Sequence, residues 1–181
     1  SGPLLITHWG FSGPAILKLS AWGARELYAC NYVFDAQINW CRQSEEQEVI
    51  RSIKQTMTRN TKKQVHNLML FGMPTRLWKF ICLRASLPER LNCSEISSKQ
   101  INVLVQILMR DTYRVTGKST FKEEFVTAGG VDLTEVNMST FESKKWPGLF
   151  FSGEVLNIDA LTGGFNFQAA WTGGAIAAEA I

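Results

Sequence analysis

The chain has 181 residues, of which 45% are apolar, 19% charged and 11% aromatic. This composition is typical of a compact folded protein and excludes a disordered or fibrous one. A chain of this length buries roughly 70% of the surface that its extended form exposes, so its core needs no disulfide or metal. The net charge of +3 is too small to indicate a nucleic acid or a membrane surface as the partner.

The charge is unevenly distributed along the chain. Residues 42–90 carry ten basic and four acidic side chains (+6), whereas residues 120–181 carry three basic and eight acidic ones (−5). This difference predicts two modules.

The four cysteines form no C-x-x-C pair and there are two histidines, so we expect no metal site. The sequence begins without a secretory pattern and has no convincing membrane span, so we expect a cytoplasmic protein without membrane contact.

The first elements are short. An apolar run at 4–9 leads into a glycine-rich loop, after which Ser12 is expected to cap a helix that Pro14 opens. Side chains alternate over 27–38, which predicts a strand there. We interpret four tryptophans as core anchors: Trp9, Trp22, Trp40 and Trp78.

The basic middle of the chain predicts a small bundle of four helices between about 44 and 110. Three of the predicted starts have capping-box spacing, and apolar residues at helical intervals follow each: Ser44 with Gln47, Thr61 with Gln64, and Ser97 with Gln100. The fourth helix is expected to begin at Pro74 and to end before Pro88. His66, among apolar neighbours, is interpreted as structural.

After the helices the period returns to two. Four strands are predicted, bounded by glycine and proline: 112–116, 124–127, 131–136 and 149–152. The last segment, 165–181, is predicted to be a helix rich in small residues. Together these elements indicate an α+β fold.

Two glycine motifs near the end of the chain have the features of a flavin site. Gly153 and Glu154 end an apolar run, where glycine allows close backbone approach and a carboxylate accepts hydrogen bonds from sugar-type hydroxyls. The Gly163–Gly164 turn, followed by Phe165 and Asn166, aims backbone amides and the positive end of a helix dipole at an electron-rich group. Glu154 would therefore face the ribityl chain and the turn the pyrimidine end. The alternative is that these are glycine turns beside a packed helix, without a ligand.

Four ordered segments resemble a known family: residues 7–15, 127–131, 140–144 and 153–174. They are similar to the bacterial NAD(FAD)-utilising dehydrogenase flavoproteins, which include bile-acid flavin reductases of the BaiN type and aminoacetone oxidase-like proteins. The resemblance implies FAD as the cofactor, a small-molecule substrate, and NADH or NADPH as alternative electron donors. Asn157 stands where the family usually has aspartate.

The resemblance also implies the domain organisation. Residues 1–118 would be an inserted domain, partly β-barrel-like and partly a helical bundle. Residues 119–181 would be the C-terminal strand and helix of a Rossmann-type FAD domain, whose N-terminal half would be the partner of this chain. Without that half we expect weak FAD binding, no activity, and self-association through exposed apolar surface.

Two questions stay open. His8, next to the first glycine loop, is either a hydrogen-bonded structural residue or a catalytic residue on the active-site face of the insert. The chain is either part of an FAD-dependent oxidoreductase that exchanges a hydride with an organic substrate, in which case we expect no nucleic-acid partner, or a non-catalytic basic helical module that binds RNA or another polyanion.

Overall fold

The computed structural model describes residues 1–119, 126–161 and 163–181. It has an α+β fold, which confirms the predicted class. The helices are α1 (Pro14–Trp22), α2 (Ala24–Ala29), α3 (Glu46–Arg59), α4 (Thr75–Arg84), α5 (Ser98–Arg110) and α6 (Gly164–Ala180). The strands are β1 (Leu5–Ile6), β2 (Phe11–Ser12), β3 (Val33–Ile38), β4 (Asp111–Thr116), β5 (Val136–Asn137) and β6 (Glu142–Ser143).

The strands form three two-stranded sheets in the part of the chain that is described, pairing β1 with β2, β3 with β4, and β5 with β6. The chain divides into two compact units. The helical unit is Phe34–Val115, and the split unit combines Ser1–Val33 with Thr116–Ile181. The domain boundary at 118/119 stays a prediction. Among the described residues, no helix has the length and apolar character needed to cross a membrane.

The helical unit has its own apolar core, formed mainly by α3, α4 and α5. Helix α5 shows why the chain folds this way. Ser97 Oγ accepts the Gln100 amide at 3.2 Å and Gln100 Oε1 accepts the Ser97 amide at 2.9 Å, which confirms the predicted capping box. The apolar residues at helical spacing after it, Ile101, Leu104, Val105 and Leu108, are all buried. Trp78 is fully buried, as predicted.

Two of the predicted helix starts are wrong. Helix α3 follows Glu45 and has no side-chain cap bond, so Ser44 is not its cap. Residues 61–64 begin no α-helix; they lead into a single 3₁₀ turn at Val65–Asn67. The physical reason is that this segment hydrogen-bonds to a distant loop, since the Cys93 amide donates to the Lys63 carbonyl at 2.9 Å. The fully described helical unit therefore has three α-helices. The helix predicted at Pro74 is confirmed as α4.

A buried ionic network fixes the start of β4. The Asp111 side chain is fully buried. Its Oδ1 accepts Arg84 Nε and Nη2 at 2.9 and 2.6 Å, and its Oδ2 accepts Trp40 Nε1 at 3.0 Å and the Tyr113 hydroxyl at 2.5 Å. Burial of the Tyr113 hydroxyl and its hydrogen bond to the Asp111 carboxylate raise the pKa of Tyr113 above its ordinary value. A buried carboxylate with several donors is stable because its charge is compensated.

The N-terminal part of the split unit differs from the prediction at three points. Gly13, not Ser12, precedes α1, although Pro14 opens the helix as expected. Trp9 and Trp22 are 54% and 78% exposed, so neither is a core anchor within this chain. Residues 27–32 are not strand: they complete α2 and a turn in which Asn31 has a positive φ, and β3 begins only at Val33.

The C-terminal part of the split unit packs around Val136, Phe141, Leu156 and Ala177. The strands predicted at 131–136 and 149–152 are wrong in extent: residues 133–135 form a 3₁₀ turn, and the regular pairing covers two residues on each of β5 and β6. Of the strand predicted at 124–127, residues 124 and 125 lie outside the described residues and 126–127 are not strand. The final helix is confirmed as α6.

Candidate functional site

A cleft of about 510 Å³ lies at the N-terminus of α6 in the split unit. Its lining residues are Val126, Glu154, Gly163, Gly164, Asn166, Phe167 and Ala170. Four residues of the predicted flavin site are therefore brought to one surface. The described lining does not include Gly153, Phe165 or His8.

The helix start offers an open backbone. Gly163 has a φ of +149°, and no described side chain caps α6. A Cβ on Gly164 would meet no described atom within 4 Å. The first amides of an α-helix have no partner within the helix, so this arrangement exposes donors and the positive dipole end to the cleft.

Glu154 lies in a 3₁₀ turn that packs on α6. The turn covers Gly153–Val155, and Gly153 has a φ of +80°. A Cβ on Gly153 would lie 3.4 Å from the Cβ of Ala170. Gly153 therefore allows the turn to approach the helix, while the exposed Glu154 side chain lines the cleft.

The side chain of Asn166 stabilises the loop before the helix. Its Oδ1 accepts the Ala160 amide at 2.9 Å, and its Nδ2 donates to the Ala160 carbonyl at 3.3 Å. The two hydrogen bonds of the Asn166 side chain thus hold the backbone of Ala160, in the loop that leads to the glycine turn. Phe165 is 68% exposed and lies outside the cleft lining.

Sequence reasoning missed Arg25. Its Nη2 donates to Asn157 Oδ1 at 2.8 Å and lies 3.9 Å from Asp159 Oδ1. The amide oxygen of Asn157 thus accepts a charged donor. The two residues are 132 positions apart, and no local pattern indicates their contact.

His8 is exposed in a turn between β1 and β2. Thr7, the residue before His8, closes that turn, because its amide and its hydroxyl both donate hydrogen bonds to the Gly10 carbonyl at 2.9 Å. Neither alternative for His8 is decided by this position, and its role stays a prediction.

Exposed aromatic side chains lie on α6, and one of them, Phe167, lies in the cleft lining. Phe167 and Trp171 on α6 are 66% and 70% exposed, and their rings lie 6.1 Å apart between centroids. Aromatic surface of this size on the described chain is typical of a binding or packing face.

Known proteins match the chain in two ways. The family described as "HI0933-like protein barrel and H2TH domain" matches residues 1–126. The chain belongs to this family. The match supports the broader part of the sequence-based assignment, a flavoprotein-related family. The narrower placement among bile-acid flavin reductases and aminoacetone oxidase-like proteins stays a prediction.

Curated relatives of this HI0933-like chain are named as enzymes. It is 32% identical over 175 residues to the ribosomal RNA dihydrouridine synthase of Escherichia coli K12, covering 93% of this chain and 40% of that protein. It is 29% identical over 174 residues to the Haemophilus influenzae protein of the same name, covering 93% of this chain and 39% of that one. It is 24% identical over 180 residues to the 3-dehydro-bile acid delta(4,6)-reductase of Clostridium scindens, covering 99% of this chain and 44% of that one. The chain spans less than half the length of each of these relatives.

Proposed function

We propose that this chain is part of an FAD-dependent oxidoreductase that reduces a carbon–carbon double bond of an organic substrate. The observation that carries the proposal is the cleft at the uncapped, glycine-rich start of α6, with Glu154 on its wall. A flavin, when bound, supplies the hydride chemistry, and the protein supplies position and electrostatics.

The residues of the cleft fit such a group. The carboxylate of Glu154 can accept hydrogen bonds from the hydroxyls of a ribityl chain. The backbone amides that follow Gly163 can donate to the pyrimidine end of the ring, where negative charge gathers on reduction. Gly164 keeps this approach open because it places no side chain in the cleft.

The relatives' names support the reaction class. Dihydrouridine is uridine with two hydrogen atoms added across a double bond, and a delta(4,6)-reductase saturates double bonds of a steroid. Both names describe the addition of hydrogen to a conjugated carbon–carbon bond. We therefore infer a reductive direction for the hydride transfer, with NADH or NADPH as the source of electrons.

RNA is the substrate class that we favour. The two relatives named for ribosomal RNA are 32% and 29% identical to the chain, against 24% for the bile-acid enzyme. The +6 charge of residues 42–90 also suits a polyanion better than a steroid. This substrate would combine the two functions that the sequence left as alternatives, since the basic helices and the flavin cleft would serve one reaction.

The cofactor assignment is tested with Gly164→Val in the full-length protein. A Cβ at Gly164 lies at the cleft and meets no described atom of the chain within 4 Å, so we expect a several-fold loss of bound flavin with a far smaller effect on the melting temperature. Gly117→Val is the matched control, because Gly117 also has open space around its Cβ and lies away from the cleft lining. Full flavin content in folded Gly164→Val would refute the assignment.

The reaction is tested separately. The full-length protein, FAD and either NADH or NADPH are incubated with ribosomal RNA transcribed without modifications, and digested nucleosides are analysed by mass spectrometry for dihydrouridine. A parallel incubation uses a steroid with conjugated double bonds. We expect dihydrouridine with one nicotinamide and no saturation of the steroid, and the reverse result would replace RNA by a steroid as the substrate class.

A further inference from the structure

A second cleft, of about 340 Å³, lies in the helical unit. Its lining residues are Gln64, His66, Asn67, Lys79, Leu83, Glu89 and Arg90. Six of these seven carry polar or charged side chains. The volume is at the lower end of the roughly 300–1,000 Å³ that is common for small-molecule sites, so the cleft suits a small polar group or one unit of a polymer.

Helix α4 provides one wall of this cleft with a basic face. Arg76, Lys79 and Leu83 are exposed and are three or four residues apart, so they share one side of the helix. The opposite side carries the fully buried Trp78 and Ile81. The burial of one side of α4 therefore fixes the direction in which the cationic side chains project.

Two paired loops carry Gln64 and Arg90 of the cleft lining. The Lys63 carbonyl accepts the Cys93 amide at 2.9 Å, and the Thr61 carbonyl accepts the Ser94 amide at 3.3 Å. The backbones of Gln64 and Asn92 form an antiparallel bridge next to these hydrogen bonds, and on the other side of the bridge the Val65 amide donates to the Leu91 carbonyl at 2.9 Å. Because this pairing is antiparallel, the residues that precede Gln64 lie opposite those that follow Asn92, and the pairing holds Gln64 against the loop that follows Arg90.

The floor of the cleft is firmly held. His66 is buried, and its Nε2 lies 3.2 Å from the Leu87 carbonyl. Trp78 Nε1 donates to the Val65 carbonyl at 2.8 Å and so ties the 3₁₀ turn to α4. A pre-organised floor lowers the entropic cost of binding a ligand.

The charge of the whole surface is positive. We name it the cationic cleft and define it by the lining residues together with Arg76, which shares the exposed side of α4 with Lys79. Three basic side chains, those of Arg76, Lys79 and Arg90, then lie beside one carboxylate, that of Glu89. A net charge of +2 with amide and imidazole groups between the cations matches an anionic polymer that also presents hydroxyls.

We propose that the cationic cleft binds the sugar–phosphate backbone of RNA. Lys79 and Arg90 contact phosphates, and Gln64 and Asn67 contact the ribose and phosphate oxygens between them. This inference rests on the proposed function, since it gives the favoured RNA substrate its contact surface outside the flavin cleft. A steroid would find little apolar wall here, because Leu83 is the single aliphatic side chain among the lining residues. Phosphate contacts of this kind position an RNA without reading its sequence.

The test measures RNA affinity, not activity. The full-length protein is titrated into a fluorescein-labelled single-stranded RNA of about 20 nucleotides, longer than the ~4–16 nucleotides that one binding fold covers, and anisotropy is recorded at several salt concentrations. The test variant is Lys79→Glu with Arg90→Glu. The matched control, Arg51→Glu with Lys54→Glu, changes the net charge equally at exposed positions of α3, outside the cleft lining.

We expect the test variant to bind at least about tenfold more weakly and to lower the slope of log K against log salt by about 1.4, because each lost phosphate contact on a single strand removes about 0.7. The control should change the affinity by less than about threefold, as non-contacting charges act only through the screened field. Equal losses in both variants, or no loss in the test variant, would overturn the proposal. If the test variant does not fold, Lys79→Gln with Arg90→Gln removes the same charges without reversing them and is judged by the same criteria.

The outcome also separates this proposal from the proposed function. Normal RNA binding by the test variant, together with dihydrouridine formation, would support the proposed reaction and refute RNA binding by the cationic cleft. Weakened RNA binding by the test variant, together with a wild-type protein that forms no dihydrouridine, would support RNA binding by the cationic cleft and refute the proposed reaction.

Discussion

Gly130 is the position where a single methyl group should damage the split unit most. A Cβ there would lie 2.5 Å from the carbonyl carbon of Leu156 and 2.6 Å from its oxygen. These are backbone atoms, held by hydrogen bonds from the Val131 amide to the Val155 carbonyl at 2.8 Å and from the Asn157 amide to the Val131 carbonyl at 2.9 Å. Gly130→Ala must therefore push apart two paired segments.

The size of the effect follows from two contributions. Gly130 has a φ of +139°, and a side chain in such a conformation costs about 1–3 kcal/mol, offset by about 0.4–1 kcal/mol from the stiffer unfolded chain. Overpacking against atoms that cannot rotate away adds about 1–3 kcal/mol. Gly129→Ala is the control, because Gly129 has a φ of +115° but a Cβ there would meet no described atom within 4 Å. We expect a loss of about 2–5 kcal/mol for Gly130→Ala and about 1–2 kcal/mol for Gly129→Ala.

The assay combines urea denaturation with hydrogen exchange measured by mass spectrometry on peptides that contain Val131 and Leu156. Gly130→Ala should lower the urea midpoint and accelerate exchange in both peptides, while Gly129→Ala should affect exchange far less. If the two variants lose equal stability, backbone strain alone accounts for the effect and the close approach to Leu156 is wrong.

Three further predictions concern other contacts. Gly173→Ala should destabilise the protein by about 1–2 kcal/mol, because its Cβ would come within 2.9 Å of two side chains. Gly174→Ala, whose Cβ has its nearest contact at 3.7 Å, should instead raise stability by about 0.5–1 kcal/mol through helix propensity. Thermal melts should therefore show a lower melting temperature for the first variant and a higher one for the second. Asp111→Ala should cost about 3–5 kcal/mol in urea denaturation because it leaves a partly buried arginine without its carboxylate, and Arg110→Ala, which breaks a 3.9 Å exposed pair, should cost less than about 1 kcal/mol. The pKa of Tyr113 is raised in the folded state. The stability that the protonated Tyr113 hydroxyl contributes is therefore complete below a pH of about 10, the ordinary tyrosine pKa, and is lost as the pH rises above that value. Wild type and Tyr113→Phe should accordingly converge in stability under alkaline conditions.

The sequence predicts those elements whose determinants are local. Ser97 and Gln100 cap each other within one turn, so their spacing alone identifies the start of α5. The helix start predicted from the same spacing at Thr61 and Gln64 is wrong, because the backbone of that segment pairs with residues 92–94 instead. A capping box describes what a segment can do in isolation, and tertiary hydrogen bonds decide whether it does so.

The strand predictions fail for a related reason. The alternation of apolar and polar residues over 27–38 continues across the end of α2 and a turn. Asn31 and Tyr32 in that turn have positive φ angles, which the apolar pattern does not indicate. The segment at 149–152 is apolar because Phe150 and Phe151 pack on the core of the split unit, not because it pairs along its length. Burial and strand pairing give the same pattern in a short run.

The predicted flavin site shows how far local sequence can indicate neighbouring residues. Gly163, Gly164 and Glu154 are predicted to lie together because glycine turns and carboxylates have direct chemical meaning, and the structure brings them to one cleft. Their position, however, depends on distant residues. The segment after Glu154 is paired with Val131 on one side and held by the Arg25 guanidinium on the other.

The geometry of the cleft is therefore a property of the whole split unit. The segment that carries Glu154 receives its hydrogen bonds from the two ends of that unit, since Arg25 belongs to the N-terminal part and Val131 to the C-terminal part. Arg25→Ala removes one of these restraints without touching the cleft lining. The carboxylate would keep its chemistry but lose part of its fixed position, and a misplaced acceptor contributes less to binding than a pre-organised one. A reduced flavin affinity in Arg25→Ala, with normal flavin in Arg114→Ala, whose side chain is 58% exposed against 64% for Arg25 and pairs with Asp35 at 3.2 Å, would show that the N-terminal part of the split unit helps to position the site. Equal flavin affinities in the two variants would show that the pairing with Val131 is sufficient.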